Sequence, residues 1–190
     1  MSVAGTHLFW ITSRAAGTAA LILSSGSLGV GLLIRGRGKP RRLLGSDARV
    51  LHEALSLATL AAIAIHGLAL LGDAYLHPGL LDIAVPFAGS YRPLWTGIGI
   101  LAGWGLAVLG LTYYLRERIG QARWRILHRT IAVFWAMGVV HTLGAGTDAG
   151  QLWLLVAIAA PTVPALFLLA PRVAGPLAEL WQAGLNDPTG

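Results

Sequence analysis

Five long stretches without a charged residue constrain this chain more than any other feature of its sequence. A helix needs about 20 mainly apolar residues to cross the hydrocarbon core of a bilayer. None of the stretches alternates over about ten residues in the way that a strand of a membrane barrel does. The sequence therefore predicts an all-α integral membrane protein, a bundle of five transmembrane helices. The stretches are Ala15–Ile34, Ala54–Gly72, Leu94–Leu115, Thr130–Thr147 and Ala149–Pro171.

Composition excludes several classes of protein. Only 12% of the residues are charged, about half the share of an ordinary soluble domain. The chain has no cysteine, which excludes a disulfide framework, an iron–sulfur cluster, a thiolate zinc site and covalently attached haem. The net charge of +6 is expected to report membrane topology rather than a nucleic-acid partner.

The flanking residues extend the stretches into spans. We predict one transmembrane domain over residues 1–171, followed at residues 172–190 by a short cytoplasmic amphipathic tail, with apolar residues at roughly helical spacing. The predicted spans are residues 8–34, 48–72, 93–115, 125–146 and 150–171.

The basic residues predict the direction of the spans. Twelve of the 14 Lys and Arg residues lie between the first and second uncharged stretches, between the third and fourth, or after the fifth, and only Arg14 and Arg92 lie on the other side. Positive charge is enriched in cytoplasmic loops. We therefore expect the N-terminus outside and the C-terminus inside a cell (inner/plasma) membrane that the chain crosses several times. We name the two ends of the bundle the inner end and the outer end after this prediction.

Four histidines lie in or at the ends of two spans that run in the same direction. His52 and His66 are 14 residues apart on span two, and His128 and His141 are 13 residues apart on span four. At 1.5 Å per residue these separations are about 21 and 20 Å. His52 and His128 therefore fall near the inner end (the inner pair), and His66 and His141 near the outer end (the outer pair).

Two facing imidazoles in a helical bundle are the ligands expected for low-spin haem b. Two such pairs at different depths predict two haems and a path for electrons across the membrane. Without nearby carboxylates, the pairs suit neither a closed zinc site nor a di-iron site. The spacing of 13 residues leaves His128 and His141 about 140° apart on an ideal helix. We expect a bend, a changed pitch or different approaches of the haems to compensate, and Gly138 is a candidate position for a bend.

With these two histidine pairs, the sequence resembles the ferric reductase-like transmembrane domain, a family that includes NADPH oxidases, ferric reductases and the haem-binding membrane subunit of methionine sulfoxide reductase systems. The resemblance covers roughly residues 9–170 and rests mainly on the spacing of the two histidine pairs. Three weaker motifs accompany it at the starts of spans one, three and four, namely Trp10–Gly17, Ser90–Trp95 and Trp124–Arg129.

The resemblance implies that His52 and His128 ligate an inner haem iron, that His66 and His141 ligate an outer one, and that electrons cross the membrane between them. Oxidases and ferric reductases of the family carry a flavin and nicotinamide domain after the last span. Only 19 residues follow Pro171 here, so we expect no nicotinamide-binding domain in this chain. The expected electron donor is a redox partner protein, a flavoprotein or a quinol, and a bound flavin or quinone remains an open alternative.

Haem propionates are anionic and need cations near the membrane surfaces. Candidate partners are Arg49, Arg125 and Arg129 at the inner end and Arg14 and Arg92 at the outer end. Arg14 lies within a span and needs an anion there. Positive-inside topology alone is an equally good explanation for the inner arginines.

Two other functions are alternatives. In one, the outer haem reduces oxygen or ferric iron by outer-sphere transfer, which makes the chain an oxidoreductase-type subunit, although no catalytic side chain is assigned. In the other, the chain is a haem-free transporter or assembly factor whose histidines relay protons. The absence of an intramembrane acid beside the histidines argues against the second alternative.

Overall fold

The computed structural model describes residues 3–35 and 47–185 and is helical throughout its regular elements. The helices are α1 (Val3–Arg35), α2 (Asp47–Leu70), α3 (Leu80–Ala84), α4 (Pro93–Leu111), α5 (Arg116–Ile119), α6 (Gln121–Arg129), α7 (Ile131–Ala145) and α8 (Leu152–Leu185), with a 3₁₀ turn at Thr112–Leu115 between α4 and α5. The basic residues Arg37, Lys39, Arg41 and Arg42 lie outside the described residues.

Five helical segments are long and apolar enough to cross a membrane, as the sequence predicts. The third extends four residues beyond its predicted end, and the fourth begins four residues before its predicted start. Both extensions contain arginine, which a count of uncharged residues leaves out of a span. The segments are His7–Ile34, Asp47–Leu70, Pro93–Ile119, Gln121–Ala145 and Leu152–Pro171.

The helices pack as two antiparallel pairs that meet at α1. Helix α1 packs along α2, and α4 packs along α7, while α8 covers another side of α1. The two histidine-bearing segments, α2 and α6–α7, do not pack closely against each other. The facing histidines lie across the space between these two segments, which we call the slot.

A buried polar cluster joins three helices in the middle of the bundle. The Trp135 indole Nε1–H donates to Ser25 Oγ over 2.9 Å, and Ser25 Oγ donates to the Leu21 carbonyl over 2.8 Å. Ser25 and Thr162 hydroxyls lie 3.4 Å apart. Beside them Leu21 packs on Leu154 of α8. Because hydrocarbon offers no partner for a polar group, these hydrogen bonds satisfy side chains that would otherwise be costly to bury.

The helix that carries His128 and His141 breaks between them. Helix α6 ends at Arg129 and α7 begins at Ile131, with Thr130 at the junction. The backbone there forms i to i+3 hydrogen bonds, including Val133 N–H to Thr130 O over 2.9 Å. A 3₁₀ turn rotates the chain about 120° per residue, more than an α-helix does, so the break adds rotation in the direction that a 13-residue spacing needs. The break is at Thr130 and not at Gly138, which lies inside α7.

The segments outside the spans are short. In the outer loop, α3 is tied to span three by the Trp104 indole, which donates to the Ala84 carbonyl over 2.8 Å. Helix α8 continues past span five to Leu185 without interruption, so the tail is helical over its described part. Residues 186–190 lie outside the described part of the chain, and a position of the tail on the membrane surface stays a prediction.

Candidate functional site

The fold brings the four histidines together as two pairs. The imidazole centroids of His52 and His128 lie 6.2 Å apart, with an angle of 87° between the ring planes. Those of His66 and His141 lie 6.3 Å apart, with an angle of 69°. Each ring is half-buried. Spans two and four therefore present two facing imidazoles at each end of the slot between them.

Three of the four rings are anchored through Nδ1 to a backbone carbonyl of a neighbouring span. Nδ1 of His66 lies 2.7 Å from Ser13 O, that of His52 2.9 Å from Ser27 O, and that of His141 2.9 Å from Trp95 O. A carbonyl oxygen can only accept, so each Nδ1 carries the proton and donates it. Nε2 of each ring consequently keeps its lone pair, which is the state of a metal-binding histidine.

Small residues allow these rings to approach the neighbouring helices. A Cβ atom at Gly17 would lie 3.0 Å from Nδ1 of His66, and one at Gly31 would lie 3.0 Å from Cε1 of His52. A Cβ atom at Gly99 would overlap the ring of His141. Gly99 therefore leaves no room for a side chain, whereas an added methyl group at Gly17 or Gly31 would make a tight contact with the ring.

His128 is held differently. Its buried Nδ1 makes no well-aligned hydrogen bond among the described residues, although the backbone carbonyl of Leu109, on α4, lies near its ring. Its ring stacks instead on Trp124, one helical turn earlier, with centroids 4.9 Å apart and an angle of 24° between the planes. Trp124 in turn contacts Tyr113, whose ring centroid is 5.9 Å away. Aromatic packing and a looser contact with a backbone carbonyl thus position this ligand of the inner pair.

The separation of the rings fits a metal between them. An imidazole nitrogen binds a first-row metal at about 2.0–2.1 Å and lies roughly 1.1 Å from its ring centroid, so two imidazoles on opposite sides of one ion need centroids about 6 Å apart. The observed 6.2 and 6.3 Å match this requirement at both ends. The donor atoms and the spacing of both pairs therefore fit haem, which would supply one iron between the two imidazoles of each pair.

Other metal sites fit less well. No group of three or more His, Asp or Glu side chains lies together anywhere in the described ranges 3–35 and 47–185. Glu53, next to His52 in the sequence, accepts a hydrogen bond from the Tyr114 hydroxyl over 2.8 Å. Two histidines are too few ligands for a protein-only structural zinc site, whereas a haem supplies the other ligands itself.

The outer arginines make specific contacts. Arg14 forms an ion pair with Asp148, in the loop between spans four and five, and its guanidinium lies 4.7 Å from the centroid of Trp10. Asp148 therefore provides the anion that Arg14 needs, and a propionate there would have to share the guanidinium. Arg92 donates from Nη1 to the Gly144 carbonyl over 2.7 Å, which leaves its other nitrogens available.

The inner arginines Arg49, Arg125 and Arg129 are exposed at the inner end. Arg125 and Arg129 lie on the same helix as His128, and Arg49 lies one turn before His52. Their positions suit both roles that the sequence left open, propionate partner and topological signal.

Ser13, Ser27 and Asp148 were not among the residues that the sequence pointed to. The two serines have a partial signal: Ser-x-x-x-Gly occurs at residues 13–17, 25–29 and 27–31, and the first and last copies are 14 residues apart, like His52 and His66. Asp148 has no comparable signal, because only the packing of span five brings its loop to Arg14.

Comparisons with known proteins agree with this arrangement. We found no significant match among curated proteins or among solved structures. A family model described as "Ferric reductase like transmembrane component" matches residues 16–139, well over half of the chain and all but the last of the four histidines. With five helices able to span a membrane, this match shows that the chain belongs to the family of ferric reductase-like transmembrane components.

Proposed function

We propose that the chain is a transmembrane di-haem cytochrome b that passes single electrons across the membrane as the membrane subunit of a redox system. One observation carries this proposal: both ends of the slot hold two imidazoles whose centroids are 6.2 and 6.3 Å apart, the spacing that a bis-histidine metal needs. Membership of the ferric reductase-like family supports the same function.

Each histidine has a defined task in this proposal. His52 with His128 would hold the inner haem, and His66 with His141 the outer haem. Bound haem supplies an iron that gains and loses one electron reversibly. The chain supplies Nε2 lone pairs, orients the rings through their Nδ1–H groups, and surrounds the slot with apolar helices. Because each iron would be held by two histidines of the chain, exchange with a donor or an acceptor would be outer-sphere.

The basic residues support an orientation for this path. We propose that the inner end faces the cytoplasm of a cell (inner/plasma) membrane, because the exposed arginines of α5 and α6 lie there. A redox partner protein, a flavoprotein or a quinol would then exchange electrons at the inner haem. The proposed partners of the propionates are Arg49, Arg125 and Arg129 at this end and Arg92 and Arg14 at the other, where Arg14 would share its guanidinium with Asp148.

The decisive experiment is a reduced-minus-oxidised absorption spectrum of the purified protein, with haem counted per chain. We expect a b-type spectrum and two haems per chain. One haem per chain would contradict the two-site scheme and limit the function to one pair. Protein without haem, made in cells with ample haem supply, would overturn the proposal and favour the histidine-containing transporter or assembly factor.

A further inference from the structure

Helix α1 carries two copies of one arrangement, each facing a histidine of α2. Nδ1 of His66 lies 2.7 Å from the carbonyl and 3.0 Å from the hydroxyl of Ser13. Nδ1 of His52 lies 2.9 Å from the carbonyl and 3.1 Å from the hydroxyl of Ser27. Two oxygens of a single serine thus face each ring nitrogen.

A glycine completes each copy. Gly17 follows Ser13 by four residues, and Gly31 follows Ser27 by four. Residues four apart lie on one face of a helix, so each of these two segments presents its serine and its glycine to the same histidine. We call each segment a seat: the serine oxygens accept the hydrogen bond from Nδ1–H, and the glycine leaves room for the ring. The two seats are 14 residues apart, the same spacing as the histidines on the antiparallel helix α2.

The hydroxyl protons of Ser13 and Ser27 are used in hydrogen bonds to other groups, so these hydroxyls act as acceptors towards the imidazoles. At the outer end Ser13 Oγ donates to the His66 carbonyl over 3.0 Å. At the inner end Ser56 Oγ donates its only proton to the His52 carbonyl over 2.7 Å. Ser27 and Ser56 hydroxyls lie 2.8 Å apart, so Ser27 must be the donor in that bond. Because a hydroxyl has one proton, Ser13 and Ser27 can only accept from the imidazoles.

We propose that Ser13 and Ser27 are positioning residues, one for each haem of the proposed cytochrome. Each holds its histidine in the Nδ1–H tautomer with two acceptors, which orients Nε2 towards the iron and makes the imidazole a stronger donor. A stronger donor stabilises the oxidised iron. Each serine therefore lowers the reduction potential of its own haem and leaves the other haem unaffected. This inference rests on the proposed function.

The test is an equilibrium redox titration of the haem-loaded variants Ser13→Ala and Ser27→Ala. Each variant keeps the carbonyl but loses one acceptor. We expect two haems per chain and one midpoint potential raised in each variant, a different one in each. The expected change in the reduction equilibrium is about threefold, equivalent to about 28 mV for one electron at 59 mV per tenfold.

Three further variants separate positioning from a general structural role. Ser13→Thr keeps a hydroxyl and should restore the wild-type potential. Ser24→Ala removes a buried hydroxyl of α1 that donates to the Leu21 carbonyl, so neither potential should change. If Ser27→Ala is not recovered from the membrane, Ser56→Ala breaks the same series of hydrogen bonds and should shift the same haem alone.

Several results would overturn the inference. It is wrong if two haems remain and neither serine variant shifts a potential, or if each variant shifts both potentials equally. Absence of haem from the wild-type protein would instead contradict the proposed function. The seats would then be tested by nitrogen-15 NMR of the histidine-labelled protein, in which Ser13→Ala should shift one Nδ1–H resonance and Ser24→Ala none. Unchanged resonances in Ser13→Ala would overturn the seats themselves.

Discussion

The inner and outer histidine pairs have nearly the same separation but are held in different ways. At the outer end both imidazoles donate Nδ1–H to a carbonyl, and both lie on a glycine. At the inner end His52 has the same support, but Nδ1 of His128 makes no hydrogen bond within the described part of the chain. The Leu109 carbonyl lies near the His128 ring without a well-aligned bond to Nδ1, and the ring stacks on Trp124.

This difference shows that the separation of a ligand pair and its rigidity have separate causes. The packing of α1 with α2 and of α4 with α7 places the rings at about the same distance at both ends. Rigidity depends on the atoms behind each ring. A hydrogen bond to a backbone carbonyl restricts the rotation of a ring more tightly than stacking on another side chain does. We therefore expect the outer haem to be retained more firmly than the inner one.

The largest expected effect comes from removing one ligand of one pair. His66→Ala should lose the outer haem and keep the inner one, and His52→Ala should do the reverse, because each iron depends on its own pair. Haem per chain, measured with reduced-minus-oxidised spectra, should fall from two to one. His77→Ala, in the outer loop, should keep two. Equal loss of both haems in a well-folded His66→Ala protein would contradict the pairing.

A methyl group at Gly99 should weaken the outer pair and reverse the ranking of the two sites. The added Cβ atom of Gly99→Ala would overlap the ring of His141, and overpacking of this kind costs about 1–3 kcal/mol. We expect outer-haem occupancy to fall at limiting haem, by roughly 5- to 150-fold in affinity. In the matched control, Gly29→Ala, the new methyl group would meet nothing within 4 Å. Unchanged occupancy in Gly99→Ala would show that the contact with Gly99 does not position His141.

The smallest effect is expected at the inner pair, on removal of the stacking partner of His128. An aromatic pair contributes about 0.5–1.5 kcal/mol beyond its buried area. Trp124→Leu should therefore speed transfer of the inner haem to a haem-scavenging apoprotein by roughly 2- to 12-fold. Trp104→Leu controls for the loss of a tryptophan that bonds the outer loop. Faster loss of the outer haem in Trp124→Leu would contradict the assignment of His128 to the inner pair.

Much of the architecture could be predicted from the sequence. The five spans follow from stretches of about 20 apolar residues, because the thickness of the bilayer determines their length. The rings that the structure brings together are those that spacing and direction matched on spans two and four. That they bind haem stays a prediction, as do the orientation of the chain in the membrane and the roles of the arginines.

The residue at which the helix between His128 and His141 changes its geometry could not be predicted from their 13-residue spacing. The sequence shows a mismatch of about 140° between His128 and His141, but several local changes could remove it. Gly138 was the candidate because glycine permits a bend, whereas the chain changes pitch at Thr130. A 3₁₀ turn adds about 20° per residue, so this short break accounts for part of the mismatch. Thr130 has no special backbone freedom, so its role depends on how α6 and α7 pack.

The sequence by itself determined the number of spans, the histidines available as ligands and the depth of each, since these depend only on hydrophobic length and on rise per residue. Only the tertiary structure decided what lies behind each imidazole: the Ser13 and Ser27 seats, the glycine beneath His141 and the tryptophan beside His128. The physical reason is the separation along the chain of the residues that each effect involves. Apolar length and helical rise act along the chain, whereas hydrogen bonds to Nδ1 join residues up to 53 positions apart and exist only once the helices have packed.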